Sequence, residues 1–460
     1  MQYISTRGNA PVLDFENATL NGLADDGGLY LPSHWPTLDH AQIRQMQALS
    51  YNQLTLQILQ EFAGGCIPEK EFGNLVDAAY SNFFHDAVAP IKQLDDQLFL
   101  MELFHGPTLA FKDYALQMLG QFFQYFLDKN KRSCTILGAT SGDTGSAAIA
   151  GLRGLSSVEL YMLHPRGRVS EVQRRQMTTV ADENIHNIAV DGTFDDCQSL
   201  VKSVFNDLEF KAAHSLSAVN SINWARIAAQ VVYYFRAALT LGAPDREVNF
   251  SVPTGNFGNV LAGYVAKKMG LPIRKLIIGS NENDILTRFF ETGTMEQKGV
   301  RATLSPSMDI GISSNFERYL FELLGQDSEH LNVLMSEFNT TGQFSIGADL
   351  LEMARQDFSA YRLSDDQTAR DIRQTYQSTG EVIDPHSIIG VSAARQEGDP
   401  EIPTIVLGTA HPAKFPDAIR DALDIDVPLP EQAGDLFNLE EHYSEMTNDP
   451  DSLKDLISTK

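Results

Sequence analysis

From Leu98 onward the chain repeats one unit, a short apolar run followed by an amphipathic helical stretch, and few folds accommodate that alternation. The runs LFLMEL (98–103), CTILGAT (134–140), VELYMLH (158–164) and IHNIAV (185–190) open the series. It resumes at VNFSVPT (248–254), RKLIIGS (274–280) and PTIVLGT (403–409). Consecutive strand–helix units predict an α/β fold with mostly parallel sheets and helices on both faces. Ligands of such sheets bind beyond the carboxyl ends of the strands, so the residues after each apolar run are the candidates for function.

Residues 1–95 read as a mainly helical leading segment. It opens with STRG (Ser5–Gly8) and the turn ADDGGLYLP (Ala24–Pro32), which is either a functional loop or a connector using Gly27 and Gly28 for positive φ. Helical patterns run from Leu38 to about Phe62 and from Glu69 to Phe84, broken at Gly64, Gly65 and Pro68. Residues 96–425 carry the strand–helix units, in two α/β domains with the small one around 130–190, and 426–460 form an acidic, weakly patterned tail.

A chain of 460 residues, 43% apolar and 21% charged, has the composition of a globular enzyme of two or three domains. Its net charge of -25 argues against nucleic acid as a partner, so an anionic ligand must be held by local donors. Three scattered cysteines (Cys66, Cys134, Cys197) make neither a disulfide framework nor a zinc site and fit a reducing cytoplasm. No run of about eighteen apolar residues predicts a membrane span, and the first residues lack the layout of a secretion signal.

Five places carry residues suited to chemistry. HGPTLAFKD (His105–Asp113) sets Lys112 beside Leu109, Ala110 and Phe111. An apolar surround strips water from an ammonium, lowers its pKa and frees the amine for Schiff-base formation; the nonapeptide alone also fits a solvated lysine on a helix beginning near Pro107. GATSGDTGSAAIAG (138–151) offers Ser141, Gly142, Asp143 and Thr144 at a strand-to-helix turn, either an anion site or an ordinary cap with Ser141 or Asp143 as N-cap. PTGNFGN (253–259) sets Gly255, Asn256, Phe257, Gly258 and Asn259 directly after a strand, where successive N–H groups either cradle a phosphate or make a plain β-to-α connection. GTAHPAKF (408–415) puts the Thr409 hydroxyl at a strand end, either to meet a ligand or as a cap followed by a proline-stopped turn. NSINWARIAAQ (220–230) opens a helix with Ser221, Asn223 and Arg226, the last either a fork for a second phosphate or a surface cation. Neither glycine turn matches GxGxxG or a P-loop, which argues against nucleotide binding. His105, His164 and His411 lack metal-site spacing and read as packing or supporting groups, with no metal expected.

Taken together, ELFHGPTLAFKD (102–113), TSGDTG (140–145), DGTFDDCQ (191–198), NSIN (220–223), PTGNFGN, SPSMDI (305–310), SSNFER (313–318) and LGTAHPAKF (407–415) resemble the threonine synthases, of fold type II among pyridoxal-phosphate enzymes. The leading segment resembles the long bacterial and fungal form, and the likeness runs from about Tyr3 to about Phe415. It implies a tryptophan synthase β-like fold with pyridoxal 5'-phosphate on Lys112. It further implies that Gly255–Asn259 hold the cofactor phosphate, that Thr409 meets the pyridine nitrogen, and that Ser141–Thr144 bind the substrate carboxylate and the cofactor's 3'-oxygen side. Ser221 and Arg226 match positions for the substrate phosphate. The implied reaction turns O-phospho-L-homoserine and water into L-threonine and phosphate in the cytoplasm, in a monomer or homodimer that acts on a small molecule without nucleic acid or membrane. The nearest rival is another fold type II lyase, of the threonine dehydratase kind, which needs only one phosphate site.

Overall fold

The structure is a computed structural model and describes residues 1–459. Two sheets organise it. The larger has six strands in the order Phe358–Arg362, Ile273–Ser280, Val248–Pro253, Thr404–Gly408, Leu98–Glu102 and Ile91–Gln93, parallel except for the last, which runs antiparallel to its neighbour. The smaller has five, all parallel: Ser444–Met446, Ile185–Val190, Val158–Pro165, Cys134–Ala139 and Leu216–Ser217. Each apolar run of the sequence is thus a strand. The smaller sheet also takes Leu216–Ser217 from beyond the 130–190 stretch, and Ser444–Met446 from the tail. The tail then ends in a helix, Pro450–Ser458, that buries Leu453 and Ile457.

Register levels the strand ends. Gly408 pairs with Glu102, so the segment leading to Lys112 and the segment beginning at Thr409 leave the larger sheet side by side. They stay together: Phe111 N–H donates to Thr409 O (2.9 Å), His411 N–H donates to Leu109 O (3.0 Å), and Ala110 bridges Ala410. This pairing, with Leu109 at φ 61°, delays the helix expected from Pro107; it begins at Lys112 and runs to Asn130. Lys112 therefore occupies a helix N-terminus, where the unpaired N–H groups disfavour an ammonium.

Glycine brings the second helix close. A Cβ on Gly120 of the lysine helix would run into the Gly151 carbonyl of the helix Asp143–Leu152, and one on Gly151 would meet Leu116 O. Only hydrogens at both positions allow that approach, which sets Asp143 against Lys112. The helix Trp224–Thr240 is buried at nearly every position and centres the main core, with Trp224 among the aromatic rings of Tyr3, Trp35 and Phe62.

The leading segment is helical as expected but breaks once more. The Leu38–Phe62 pattern divides into His40–Gln45, a 3-10 turn Met46–Ala48, and Tyr51–Ala63, because Ser50 and Gln53 form a capping box that starts a new helix. Gly27 has φ 78°, but Gly28 does not use positive φ; a Cβ there would strike Ser5 and Arg7. Among the described residues no helix is long and apolar enough to cross a membrane.

Candidate active site

Lys112 meets a carboxylate from the neighbouring helix rather than from its own. Its Nζ lies 3.3 Å from Asp143 Oδ2 and 4.7 Å from the centre of the Phe111 ring, with the side chain 11% exposed. Asp143 also receives Lys414 Nζ on Oδ1 (2.8 Å), Gln173 Nε2 on Oδ1 (2.8 Å) and Ser307 Oγ on Oδ2 (2.9 Å). Four donors on one buried carboxylate satisfy nearly all its lone pairs. Burial pushes the Asp143 carboxyl up, but the ammonium groups of Lys414 and Lys112, with His386, outweigh that and hold it well below the usual range. Lys112 moves the other way. Burial depresses its pKa and the charges of Lys414 and Arg226 depress it further, while Asp143 opposes them.

Asp113, the carboxylate next to Lys112 in sequence, turns away. It accepts from the Thr108 N–H (2.8 Å) and hydroxyl (2.6 Å), and burial pushes its pKa up to about 6. Neither Ser141 nor Asp143 caps its helix. The N-cap is Gly142, and the Thr140 hydroxyl takes the N–H groups of Gly142 (3.0 Å) and Gly145 (2.8 Å) instead. With Thr140 closing the turn, the Asp143 side chain is free to face the amines, and Ser141 and Thr144 remain half-buried.

The Gly255–Asn259 turn is held from behind. Ser313 Oγ donates to Gly255 O (2.8 Å), while the Asn315 N–H (3.1 Å) and Nδ2 (3.0 Å) both donate to Asn256 O. Arg318 fixes Asn315 through its Oδ1 (2.5 Å) and ties it to Tyr30 O and Ile222 O. With these carbonyls engaged and Phe257 at φ 62°, the N–H groups of Asn256, Phe257, Gly258 and Asn259 have no acceptor among the described residues. Asn259 Nδ2 is likewise buried without a partner, its Oδ1 taken by Tyr233 and Tyr234. Such a row of unpaired donors fits a phosphate group.

Arg226 is not a surface cation. It is 4% exposed, burial pushes its pKa down to about 10, and its Nε and Nη1 find no partner among the described residues. A buried guanidinium left unpaired is costly unless an anion arrives to meet it. Ser221, at the start of the same segment, is half-buried and accepts from Asn315 Nδ2 through its carbonyl (3.0 Å). Thr409 is 5% exposed, its N–H donates to Ser387 Oγ (2.8 Å), and the two hydroxyls lie 3.4 Å apart. Among the described residues no carboxylate bonds to it, so a ring nitrogen placed there would meet a neutral hydroxyl. A buried amine, a neutral group for a ring nitrogen and a turn of unpaired N–H donors together fit pyridoxal phosphate.

Sequence reading missed Lys414, Gln173, Ser307 and His386. Ser307 and Lys414 stand within quoted motifs, SPSMDI and LGTAHPAKF, yet a lysine after proline in a polar turn carries no sign that it will be wholly buried. Of the histidines, His105 bonds Glu102 (2.8 Å), His164 is buried without a partner for either ring nitrogen, and His411 accepts from the Ala413 N–H (3.2 Å) with its pKa lowered by burial to about 4.

Known proteins match throughout. Family models described as "Threonine synthase N terminus", "Pyridoxal-phosphate dependent enzyme" and "Threonine synthase, C-terminal" match residues 2–80, 85–337 and 387–457. Threonine synthase of Pseudomonas aeruginosa is 48% identical over 100% of this chain and 98% of its own. The crystal structure of pyridoxal-phosphate-bound threonine synthase from Brucella melitensis superposes with a TM-score of 0.98 at 51% identity, covering 100% of this chain and 99% of that one. Threonine synthase from yeast gives 0.94 at 43% identity, over 99% and 98%.

Proposed function

The chain belongs to the threonine synthase family, and we propose that its own side chains divide the work of that reaction as follows. It is a pyridoxal-phosphate-dependent lyase that converts O-phospho-L-homoserine and water to L-threonine and phosphate. Bound there, the cofactor would supply the electron sink that makes the substrate hydrogens on Cα and then Cβ acidic.

Lys112 holds the cofactor until substrate arrives and then becomes the free amine beside the reacting carbons. Its lowered pKa suits it to take the Cα proton, to serve the proton changes at Cβ and Cγ, and to return a proton to Cα once water has added at Cβ. Gly255–Asn259 hold the cofactor phosphate through unpaired N–H groups. The Thr409 hydroxyl, unlike a carboxylate, would leave a ring nitrogen placed beside it neutral, which would restrain electron withdrawal and disfavour transamination. Ser141, with the N–H groups of Gly142, Asp143 and Thr144, holds the substrate carboxylate at the helix N-terminus. Arg226, with Ser221, binds the phosphate that departs from Cγ.

The observation that carries this reading is that one cluster joins a depressed buried amine to a buried guanidinium with no partner. A threonine dehydratase-like lyase needs the amine and the nest but not Arg226. Two variants therefore test it. Lys112→Ala should abolish the Schiff-base absorbance band of the purified protein. Arg226→Ala should keep that band while phosphate release from phosphohomoserine falls by about 10²–10³-fold in kcat/KM, the usual loss of a charged hydrogen bond to a reacting group. Undiminished turnover in Arg226→Ala would remove Arg226 from the binding of the substrate phosphate.

A further inference from the structure

The least expected group in the site is Lys414. Its side chain is fully buried, and its Nζ spans two acceptors, Asp143 Oδ1 at 2.8 Å and Thr108 O at 2.6 Å. Lys112 holds the opposite oxygen of the same carboxylate. One anion is thus shared by two ammonium groups. Lys414 cannot reach solvent for compensation, and nothing in the division of work above gives it a task.

We propose that Lys414 is a positioning residue for Lys112: by sharing Asp143, its fixed positive charge denies Lys112 the exclusive ion pair that would keep the Lys112 nitrogen protonated. The inference rests on Lys112 being the cofactor lysine. An ammonium beside one carboxylate in a buried site gains Coulomb stabilisation that raises its pKa, whereas a second cation on that carboxylate cancels much of the gain. The depressed pKa of Lys112, to which the Lys414 charge contributes after burial, agrees with this geometry.

The arrangement also answers a problem set by an aspartate where the cofactor's 3'-oxygen side is expected. A lone carboxylate there would face a phenolic oxygen that carries negative charge. With Lys414 on its far oxygen, Asp143 presents a neutralised pair. Gln173 and Ser307 add uncharged donors, so the carboxylate keeps its orientation when Lys112 exchanges its own bond for one to carbon.

Other charges face the cluster from each packed element. Arg226 acts on Lys112 from the helix Trp224–Thr240, His386 acts on Asp143 and is itself bonded to Asp384 (3.0 Å), and Asp113 and His411 lie within the influence of Lys414. Among the described residues Lys414 is the one other basic side chain that touches the carboxylate held by Lys112.

The test is a pH titration of the Schiff-base absorbance band in the holoenzyme, beside the pH dependence of kcat/KM. Lys414→Gln retains a donor and removes the charge. It should raise the pKa read from the band by about one unit or more, a tenfold change in proton affinity, and move the acidic limb of kcat/KM upward with it. Lys414→Arg keeps the charge and should leave the band's pKa near the wild-type value. Ser307→Ala, which removes an uncharged donor from Asp143, should shift it by less than Lys414→Gln does. An unmoved or lowered pKa in Lys414→Gln overturns the proposal. Should that variant not fold, a raised pKa in Lys414→Arg overturns it, because charge would then not be what matters. Failure of the underlying reading looks different, since a wild-type band that survives Lys112→Ala would show the cofactor on another residue.

Discussion

The two glycine turns at the site solve the same geometric problem with opposite electrostatics. TSGDTG (140–145) closes on a threonine hydroxyl and directs a carboxylate into a pair of ammonium groups. PTGNFGN (253–259) puts no ionised side chain inward; its carbonyls are tied back by Ser313 and Asn315, and its donors are neutral N–H groups. In the proposed division of work the first turn stands where protons move, and there the balance of charges bears on the amine of Lys112. In the same proposal the second has only to hold an anion in place, and rigid uncharged donors suit that without disturbing Lys112. In a chain of net charge -25, keeping the ionised groups of the site mutually compensated prevents the surrounding field from dictating their protonation.

Removing the carboxylate should break the charged turn most severely. Asp143→Ala leaves Lys112 and Lys414 facing each other, and stripping one partner from a buried ion pair destabilises by about 3–5 kcal/mol. Urea unfolding of the cofactor-free protein at neutral pH should show a loss of that size. Because the folded-state pKa of Asp143 is depressed, its contribution is present above the unfolded-state value near 3.8 and lost as acidification approaches the folded-state value. The gap between wild type and variant should therefore narrow only in strong acid. A gap of under about 1 kcal/mol at pH 7 would mean that the two amines are neutral and the turn is not charged at all.

Asp113 sharpens the comparison, since it adjoins Lys112 yet behaves as a member of the neutral set. Its folded-state pKa of about 6 exceeds the unfolded value of 3.8, so its contribution is complete below about pH 4 and lost as pH rises through about 6. The difference corresponds to at most about 3 kcal/mol. Asp113→Asn fits the same surroundings if the Thr108 hydroxyl reverses from donor to acceptor. Relative to this variant, wild type should lose stability between pH 4 and 7, read by urea unfolding at a series of pH values. Parallel curves would place a counter-charge on Asp113 that the Thr108 contacts do not supply.

Much of this was legible from order along the chain. The strands, Lys112, the Gly255 turn and Thr409 stand at or just after the strand ends where the apolar runs put them, because local period and strand topology fix which residues arrive there. Arg226 follows no such run, and its sequence left it between a phosphate fork and a surface cation. What escaped was long-range. Nothing within AHPAKF tells that Lys414 will meet Asp143, a contact made by a turn after the last strand of the larger sheet and a helix of the smaller one. Nor does TSGDTG reveal that Thr140, rather than Ser141 or Asp143, closes the turn, since all three carry side-chain oxygens that can accept the same N–H groups. The late start of the lysine helix was hidden for a related reason: the pairing of Leu109 with His411 overrides the helical pattern around them.

The smallest predicted effect concerns the seam between the turns. A Cβ on Gly255 would stand 3.1 Å from Ser307 O and 3.4 Å from Met308 Cα, tighter than ordinary contact. The backbone there does not need positive φ, so the obstacle is space alone. Ser307 has little room to give, because the Asp309 carboxylate accepts from Thr303, Asn281 and Asn283 and stiffens the loop that carries it. Whatever Gly255→Ala displaces must therefore be the Gly255–Asn259 turn, the Ser307 contact to Asp143, or both. Displacement of the turn weakens the cofactor's phosphate contacts, and the dissociation constant for pyridoxal phosphate should rise about tenfold, near 1.4 kcal/mol, with the melting temperature of the cofactor-free protein almost unchanged. If the Schiff-base pKa moves as well, the strain has passed through Ser307 into the charged turn and the two regions are mechanically joined. If the dissociation constant alone changes, the neutral turn yields by itself. An unaltered dissociation constant would remove the Gly255 turn from the phosphate site.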